Sequence, residues 1–355
     1  MDYEVKADTL DTAFEETATP VTPVTRPMMA GATATPQARS AFVNGYIRQG
    51  RELELKSFTG AVAADGGFAV PREIDGQIDA LLKMASPIRA IANVVRVGSA
   101  GYRKLITRSG VSSGWASEIT ARPVTNTPLF EEVVPSFGEL YAQPAATQAM
   151  LDDAQFDVEG WLAQEIATEF AKAEGLAFVN GDGVNKPKGF LTYPTTLQLD
   201  QNRAFGTIQH VPTGVANDFA TGAQDKLVDL VHAVRAPYRQ GATWVMNANT
   251  LARVRKFKDG QGGYIWQPAL MAGQPDLLLG YPVVESEDMP DVGANALPIA
   301  FGNFKAAYLI AERQETGILR DPFTNKPYVN FYATRRVGGA LVNSEAIKFI
   351  KISVS

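Results

Sequence analysis

The chain contains no cysteine. Disulfides, thiolate metal sites and cysteine nucleophiles are therefore excluded. Histidine is nearly as scarce: His210 and His232 are the two in 355 residues, 22 positions apart, with no carboxylate pattern around them. Neither an H-E-x-x-H nor a G-x-S-x-G sequence occurs. No apolar run approaches the ~18 residues of a membrane span. The N-terminus lacks the basic-then-apolar order of a signal peptide. Positive charge is not in excess either. The 33 Lys and Arg stand against 38 Asp and Glu, a net charge of −5, so there is no global basic field of the kind a nucleic-acid binder carries. These absences leave a soluble protein of intracellular origin, without membrane contact and without an evident catalytic apparatus.

What is present is apolar surface. With 45% hydrophobic residues, the chain can bury a large core, as two domains or as one with long excursions. The stretch from Leu151 to Gly189 organises the rest. Its apolar residues recur at Val158, Leu162, Ile166 and Phe170, with Ala173 and Ala177 continuing the row and Trp161 widening it. Steps of three and four place them on one helical face. Asp157 is suited to cap the first turn, and Asn180-Gly181 to stop the helix in a left-handed conformation. A helix over 158–179 is roughly 33 Å long at about 1.5 Å per residue.

Along the chain, residues 1–37 are acidic, then rich in Thr, Ala and Pro, with no apolar period. They read as a disordered segment. Residues 38–65 suit a short helix and a Gly-rich arm, followed by GGFAVP at 66–71. IANVVRV is a strand candidate. Residues 98–143 are polar and β-prone, alternating at both ends and broken by Gly110, Gly114, Pro123 and Pro128. They read as a long two-stranded excursion, which alone is marginal in water and needs a partner surface. Beyond the long helix, Leu227, Leu230, Val231 and Val234 mark another helix. ATWVMN, YPVVES, PIAFGN and KAAYLIAER read as strands, Asn247 or Asn249 as the cap of the helix carrying Leu251, and the C-terminal run as one or two more strands. Helices and strands mix without a regular βαβ repeat, which gives an α+β class.

Candidate chemistry is thin. GDGVNK at 181–186 follows a helix rather than a strand and lacks both the ending of a phosphate loop and the acidic spacing of a calcium loop. Glu131 and Glu132 are strand neighbours and point to opposite faces, a poor acid/base pair. Arg335-Arg336 and the cluster Arg253, Arg255, Lys256 and Lys258 read as solvated basic faces.

Three runs then carry a resemblance: GGFAVP at 66–71, MLDDAQFDVEGWLAQEIATEFAKAEGLAFVNGDGVNKPKGFL at 150–191, and NANTLARVRKFKDGQGGYIWQP at 247–268. Together, and in this order, they resemble the major capsid proteins of tailed bacteriophages, which have the Hong Kong phage capsid fold. The resemblance spans about Gln37 to Ser355 and implies an architecture. Residues 1–37 would be a segment open to processing, and 38–65 the N-terminal arm. The peripheral domain would comprise 66–97, 144–208 and 331–355, with 158–179 as its spine helix. Residues 98–143 would be the extended β loop lying over a neighbour, and 209–330 the axial domain. Some members join subunits by Lys–Asn cross-links; Lys104 and Asn330 lie in suitable regions, but no Glu stands near Thr334, and no cross-link is implied here.

The function implied is that of a structural, non-enzymatic subunit of an icosahedral shell enclosing double-stranded DNA. It would be built in the bacterial host cytoplasm into the virion capsid of a phage, prophage or gene transfer agent. Its partners would be copies of itself as pentamers and hexamers, a portal protein, a maturation protease and packaged DNA touched nonspecifically. No catalytic residue, cofactor or metal is expected. Arg103, Lys104, Arg108, Glu131, Glu132, Phe137 and Tyr141 are the candidate assembly contacts, with Leu105 on the same apolar face. An encapsulin-like shell around protein cargo is the alternative; the acidic Thr/Pro-rich N-terminus and the GGFAVP arm favour the phage-type shell.

Overall fold

The computed structural model describes residues 68–69, 86–98, 101–109, 129–149, 158–220, 222–258, 261–264, 266, 276–313 and 317–354. The expectations for residues 1–37 and 38–65, for the cap at Asp157 and for the middle of the excursion lie outside them. In chain order the first elements are β1 (Phe68–Ala69), helix α1 (Pro87–Ile91) and β2 (Asn93–Arg96), then β3 (Lys104–Ser109), β4 (Leu129–Val133), β5 (Ser136–Ala142) and β6 (Ala145–Thr147). The long helix α2 (Val158–Asn180) follows, then β7 (Thr195–Thr196) and β8 (Ile208–Pro212). Next come α3 (Ala223–Ala233), α4 (Ala236–Arg239), β9 (Thr243–Met246), α5 (Ala248–Arg255), β10 (Leu277–Leu278) and β11 (Tyr281–Glu285). The chain closes with β12 (Ile299–Gly302), α6 (Phe304–Ala307), β13 (Tyr308–Glu312), β14 (Gly317–Asp321), β15 (Tyr328–Leu341) and β16 (Ile347–Lys351).

Two mixed sheets and a separate ribbon result. The first sheet is built on β15, whose 14 residues give both edges room for two partners. One edge pairs Asn330–Thr334 with β14 and Val337–Leu341 with β13. The other pairs Tyr328–Asn330 with β6 and Ala333–Gly339 with β5. The second sheet runs β10-β11-β9-β12-β16-β8-β7. Parallel pairs occur in both, β13 with β2 and β16 with β8 among them.

Helix α2 packs along the first sheet and reaches the joint with the second. Leu162, Ile166 and Phe170 are buried against Ala146, Ile318, Val329, Phe331 and Ala333. One end of the helix carries Phe178 and Val179 into a cluster that draws on both sheets, through Ile310 and Val337 of the first and Val245, Ala300, Ile347 and Phe349 of the second. A fully buried aromatic side chain contributes about 1.5–3 kcal/mol by removal from water, so Phe170 and Phe178 tie this helix to both halves of the core. The apolar row departs from expectation at its end. After Phe170 it continues through Glu174 and Phe178, both buried, while Ala173 is exposed and Ala177 half-buried. Four steps of four residues drift around the helix. The face that starts on the first sheet therefore ends at the joint.

Glu174 is tolerated there because it meets charge. Its carboxylate accepts from Arg89 Nη1 at 2.9 Å, with both side chains 1% exposed. Arg89 also meets Glu312, whose other oxygen lies 3.1 Å from Arg335 and 3.8 Å from Arg96. This buried network joins α1, α2, β13 and β15. Arg335 was expected on a solvated face; it is buried, and only Arg336 stands outside, on Glu139 at 3.2 Å. A second cluster surrounds Asp200, which contacts Lys348, Arg203 at 2.6 Å and Arg235 at 3.5 Å. Lys348 sits on β16 with no exposed surface. Burial lowers its pKa to about 8, against the opposing pull of Asp200.

Three further expectations are corrected. Gly181 does not take the left-handed stop: the residues with positive φ in this turn are Gly183 and Asn185. Gly181 is required for room instead, since a Cβ there would lie 2.1 Å from the Pro187 carbonyl and 2.5 Å from that of Ala177. The division at residue 330 also moves. β13 and β14, at 308–321, already belong to the first sheet, and β16, at 347–351, lies in the second. Last, the excursion is shorter than 98–143. β5 is a full strand of the first sheet, paired from Ala142 to Ser136 along β15. Asn247 is the cap of α5, its side chain accepting from the Thr250 N–H at 2.8 Å.

Candidate assembly surface

Among the described strands, β3 and β4 are the two that join neither of the larger sheets. β3 and β4 pair with each other antiparallel and with no other described strand. Lys104 stands opposite Val133, Leu105 opposite Glu132, Ile106 opposite Glu131 and Thr107 opposite Phe130; Ser109 then faces Leu129. The register slips by one at Arg108, which is the extra residue of a bulge. Alternation sorts the side chains. Leu105, Thr107, Phe130 and Glu132 form an exposed face, while Lys104, Ile106, Glu131 and Val133 are half-buried. Leu105 is 65% and Phe130 68% exposed, and Val134 at the base is 56% exposed. Single exposed apolar residues are ordinary. Leu105 and Phe130 on the two-stranded ribbon, with Val134 at its base, make an exposed apolar patch on an element too small to be stable alone.

The candidate contacts fall into two groups. Arg103, Lys104, Arg108, Glu131 and Glu132 belong to the ribbon or its base. Arg103 and Glu132 already pair with each other at 2.8 Å, both side chains largely exposed. Such a pair is worth about 0–1 kcal/mol and lies within the ribbon's own pairing. Phe137 and Tyr141 are not on the ribbon. They stand on β5 opposite Gly338 and Thr334. Phe137 lies over Gly338, where a Cβ would come within 2.9 Å of its ring. Tyr141 is 65% exposed on the outer face of the first sheet, 6.0 Å from the Tyr332 ring. The alternation of β5 is the same on a free ribbon as on a half-covered sheet, so sequence did not separate the two. Phe130 was missed for a related reason: its place on the exposed face follows from the pairing of Thr107, across the undescribed middle of the excursion.

Elsewhere the polar groups are used internally. In the 181–186 turn Asp182 accepts from the Val184 N–H at 2.9 Å and meets Lys186 at 3.3 Å. These contacts hold its carboxyl below the usual range. His210 is buried in β8, where burial and the charge of Lys351 lower its pKa. Arg253 pairs with Asp218 at 2.9 Å, and Arg255 meets Asp276 while lying over Trp266 at 5.0 Å. Two of the four residues of this basic cluster, Arg253 and Arg255, are thus paired within the subunit. Among the described residues, no group of three or more His, Asp or Glu is placed to hold a metal ion, and no helix is long and apolar enough to cross a membrane.

Comparison with known proteins gives a consistent answer. The model of the "Phage capsid family" matches residues 66–352. The capsid of an empty GTA particle, a structure computed with C5 symmetry, is 46% identical over 76% of this chain and 90% of that one, with a TM-score of 0.70. The capsid of the native GTA particle is 47% identical over the same shares, with a TM-score of 0.68. A structure from Microbacterium phage Oxtober96, 12% identical over 76% of this chain and 91% of that one, shares the fold with a TM-score of 0.53. No curated protein matches the sequence.

Proposed function

The chain belongs to the phage capsid family and is a capsid shell subunit with the Hong Kong phage-type fold, and from this we infer that it closes into an icosahedral shell of pentamers and hexamers around double-stranded DNA. The observation that carries this reading is the 46% identity, over 76% of this chain and 90% of the other, to the capsid of a particle computed with fivefold symmetry. A compartment shell for protein cargo is not favoured, because the similarity runs to phage and GTA capsids. The work of such a protein is assembly, and no chemical step is assigned to it. A portal protein and a maturation protease are expected partners, and the host cytoplasm the place of assembly.

The physical basis is repetition. The ribbon leaves Leu105 and Phe130 about two-thirds exposed, with no cover among the described residues. Laid over a neighbour, Leu105 and Phe130 gain that cover. A closed shell repeats each contact many times, so modest energies accumulate. DNA contact is nonspecific and salt-sensitive, in keeping with a chain of net charge −5. The test is expression of the full chain, followed by sedimentation and electron microscopy. Closed particles are expected, and a protein that remains monomeric at high concentration refutes the reading.

A further inference from the structure

The first sheet carries an unfilled apolar groove of about 430 Å³ beside helix α2. Leu140 of β5, Ala173, Leu176 and Ala177 of α2, Pro187 of the following turn and Val337 of β15 line it. Leu176 is 57% exposed although it stands two residues before the fully buried Phe178. It is out of step with the face that packs on the sheets and borders the groove instead. The turn is seated tightly at one end: a Cβ on Gly138 would lie 2.3 Å from the Asn185 carbonyl. The groove is therefore a fixed feature of the sheet, with rigid walls on both sides.

We propose that this groove receives the β3–β4 ribbon of a second copy of the chain, with Leu105 and Phe130 of one subunit seated against Leu176 and Leu140 of the next. The inference rests on the capsid reading above and names the surface that accepts the ribbon. Three observations select this occupant. The ribbon is the described element whose apolar face lacks cover, and its own groove does not supply it, since Leu105 and Phe130 are both about two-thirds exposed in the single subunit. The ribbon is also continuous with the groove. Only Val134 and Pro135 separate β4 from β5, the strand that forms one wall. A ribbon seated on a neighbour thus ends where that neighbour's own ribbon begins, and the contact repeats head to tail, the heterologous arrangement that closes into rings. Charge agrees with this pairing. The outward side of α2 presents Glu165 and Glu169 with Lys172, while the ribbon brings Arg103, Lys104 and Arg108 with Glu131 and Glu132. One surface is net acidic and the other net basic.

The absence of cysteine makes the test direct. Leu105→Cys combined with Leu176→Cys, and Phe130→Cys combined with Leu140→Cys, place single reactive pairs in an otherwise thiol-free chain. After assembly and mild oxidation, denaturing gels are expected to show a ladder of covalent multimers from at least one pair. Leu105→Cys with Val228→Cys, an exposed site on α3, is expected to give none. Radical footprinting of the wild-type protein provides a readout without substitution: the side chains of Leu176 and Pro187 lose reactivity on passing from free subunits to shells. Closed shells in which no groove pair cross-links and Leu176 stays as reactive as in the free subunit overturn the groove assignment while leaving the capsid reading intact. Failure of the wild-type chain to form shells overturns both.

Discussion

Glu312→Gln is the perturbation whose cost the structure defines best. Glu312 is 4% exposed and meets Arg89 and Arg335, with Arg96 at 3.8 Å. The amide keeps the shape but removes the negative charge among three guanidinium groups, two of them buried. Breaking a buried pair by neutralising one member costs about 3–5 kcal/mol, because the opposite charge is left desolvated. At about 2–4 °C per kcal/mol for a body of this size, the melting midpoint of unassembled subunits falls by roughly 6–20 °C. Burial also limits screening, so the loss persists at high salt. The control is Asp229→Asn, which removes the exposed pair with Lys226 at 3.3 Å and changes stability by no more than about 1 kcal/mol. Calorimetry on free subunits of the two variants decides the matter. A Glu312→Gln midpoint within error of the Asp229→Asn control refutes the claim that this network holds α1, α2 and the first sheet together.

Other outcomes follow from the same geometry. Phe178→Ala costs about 3–5 kcal/mol in the free subunit through loss of a buried ring, whereas Leu176→Ala, two residues earlier and exposed, changes it by about 0.5 kcal/mol or less; equal effects in denaturant titration contradict the placement of the helix faces. Lys348 sets a pH dependence. Its pKa falls from 10.5 to about 8 on folding, so the unfolded chain binds more protons between these values and stability rises with pH across that window. At 1.36 kcal/mol per unit the gain approaches about 3 kcal/mol, and it is absent in Lys348→Met; a wild-type profile parallel to the variant's from pH 7.5 to 9.5 contradicts it. Replacing residues 103–134 with a short Gly/Ser turn leaves β5 in its sheet, so a cooperative melt is retained while closed particles disappear; particles of normal size from this deletion remove the ribbon from assembly.

The sequence made the local structure readable and left the pairing open. Helix α2 was legible because Leu162, Ile166 and Phe170 fall at helical spacing, and α5 because Asn247 stands where a cap is needed. Strands such as Thr243–Met246 and Tyr308–Glu312 were visible as short apolar runs. The partners of those strands were not, since hydrogen bonding between β15 and four other strands is a property of the whole chain. For that reason Phe137 and Tyr141 were assigned to the excursion, and β13 and β14 to the half that begins at residue 209. Glu174 was passed over because an acidic residue on a helix is ordinarily solvated; its burial depends on Arg89, 85 residues away. Leu176 carried a faint signal in being apolar yet out of phase with the row.

The central claim is that subunits are joined by a ribbon that finishes its packing on a neighbour. Electron microscopy of particles assembled from the full chain, at a resolution that traces the backbone, tests it most directly. The account predicts closed shells in which density for Lys104–Ser109 and Leu129–Val133 lies across an adjacent subunit and covers Leu105 and Phe130. Closed shells in which each ribbon folds back on its own subunit, or stands free in solvent, contradict it.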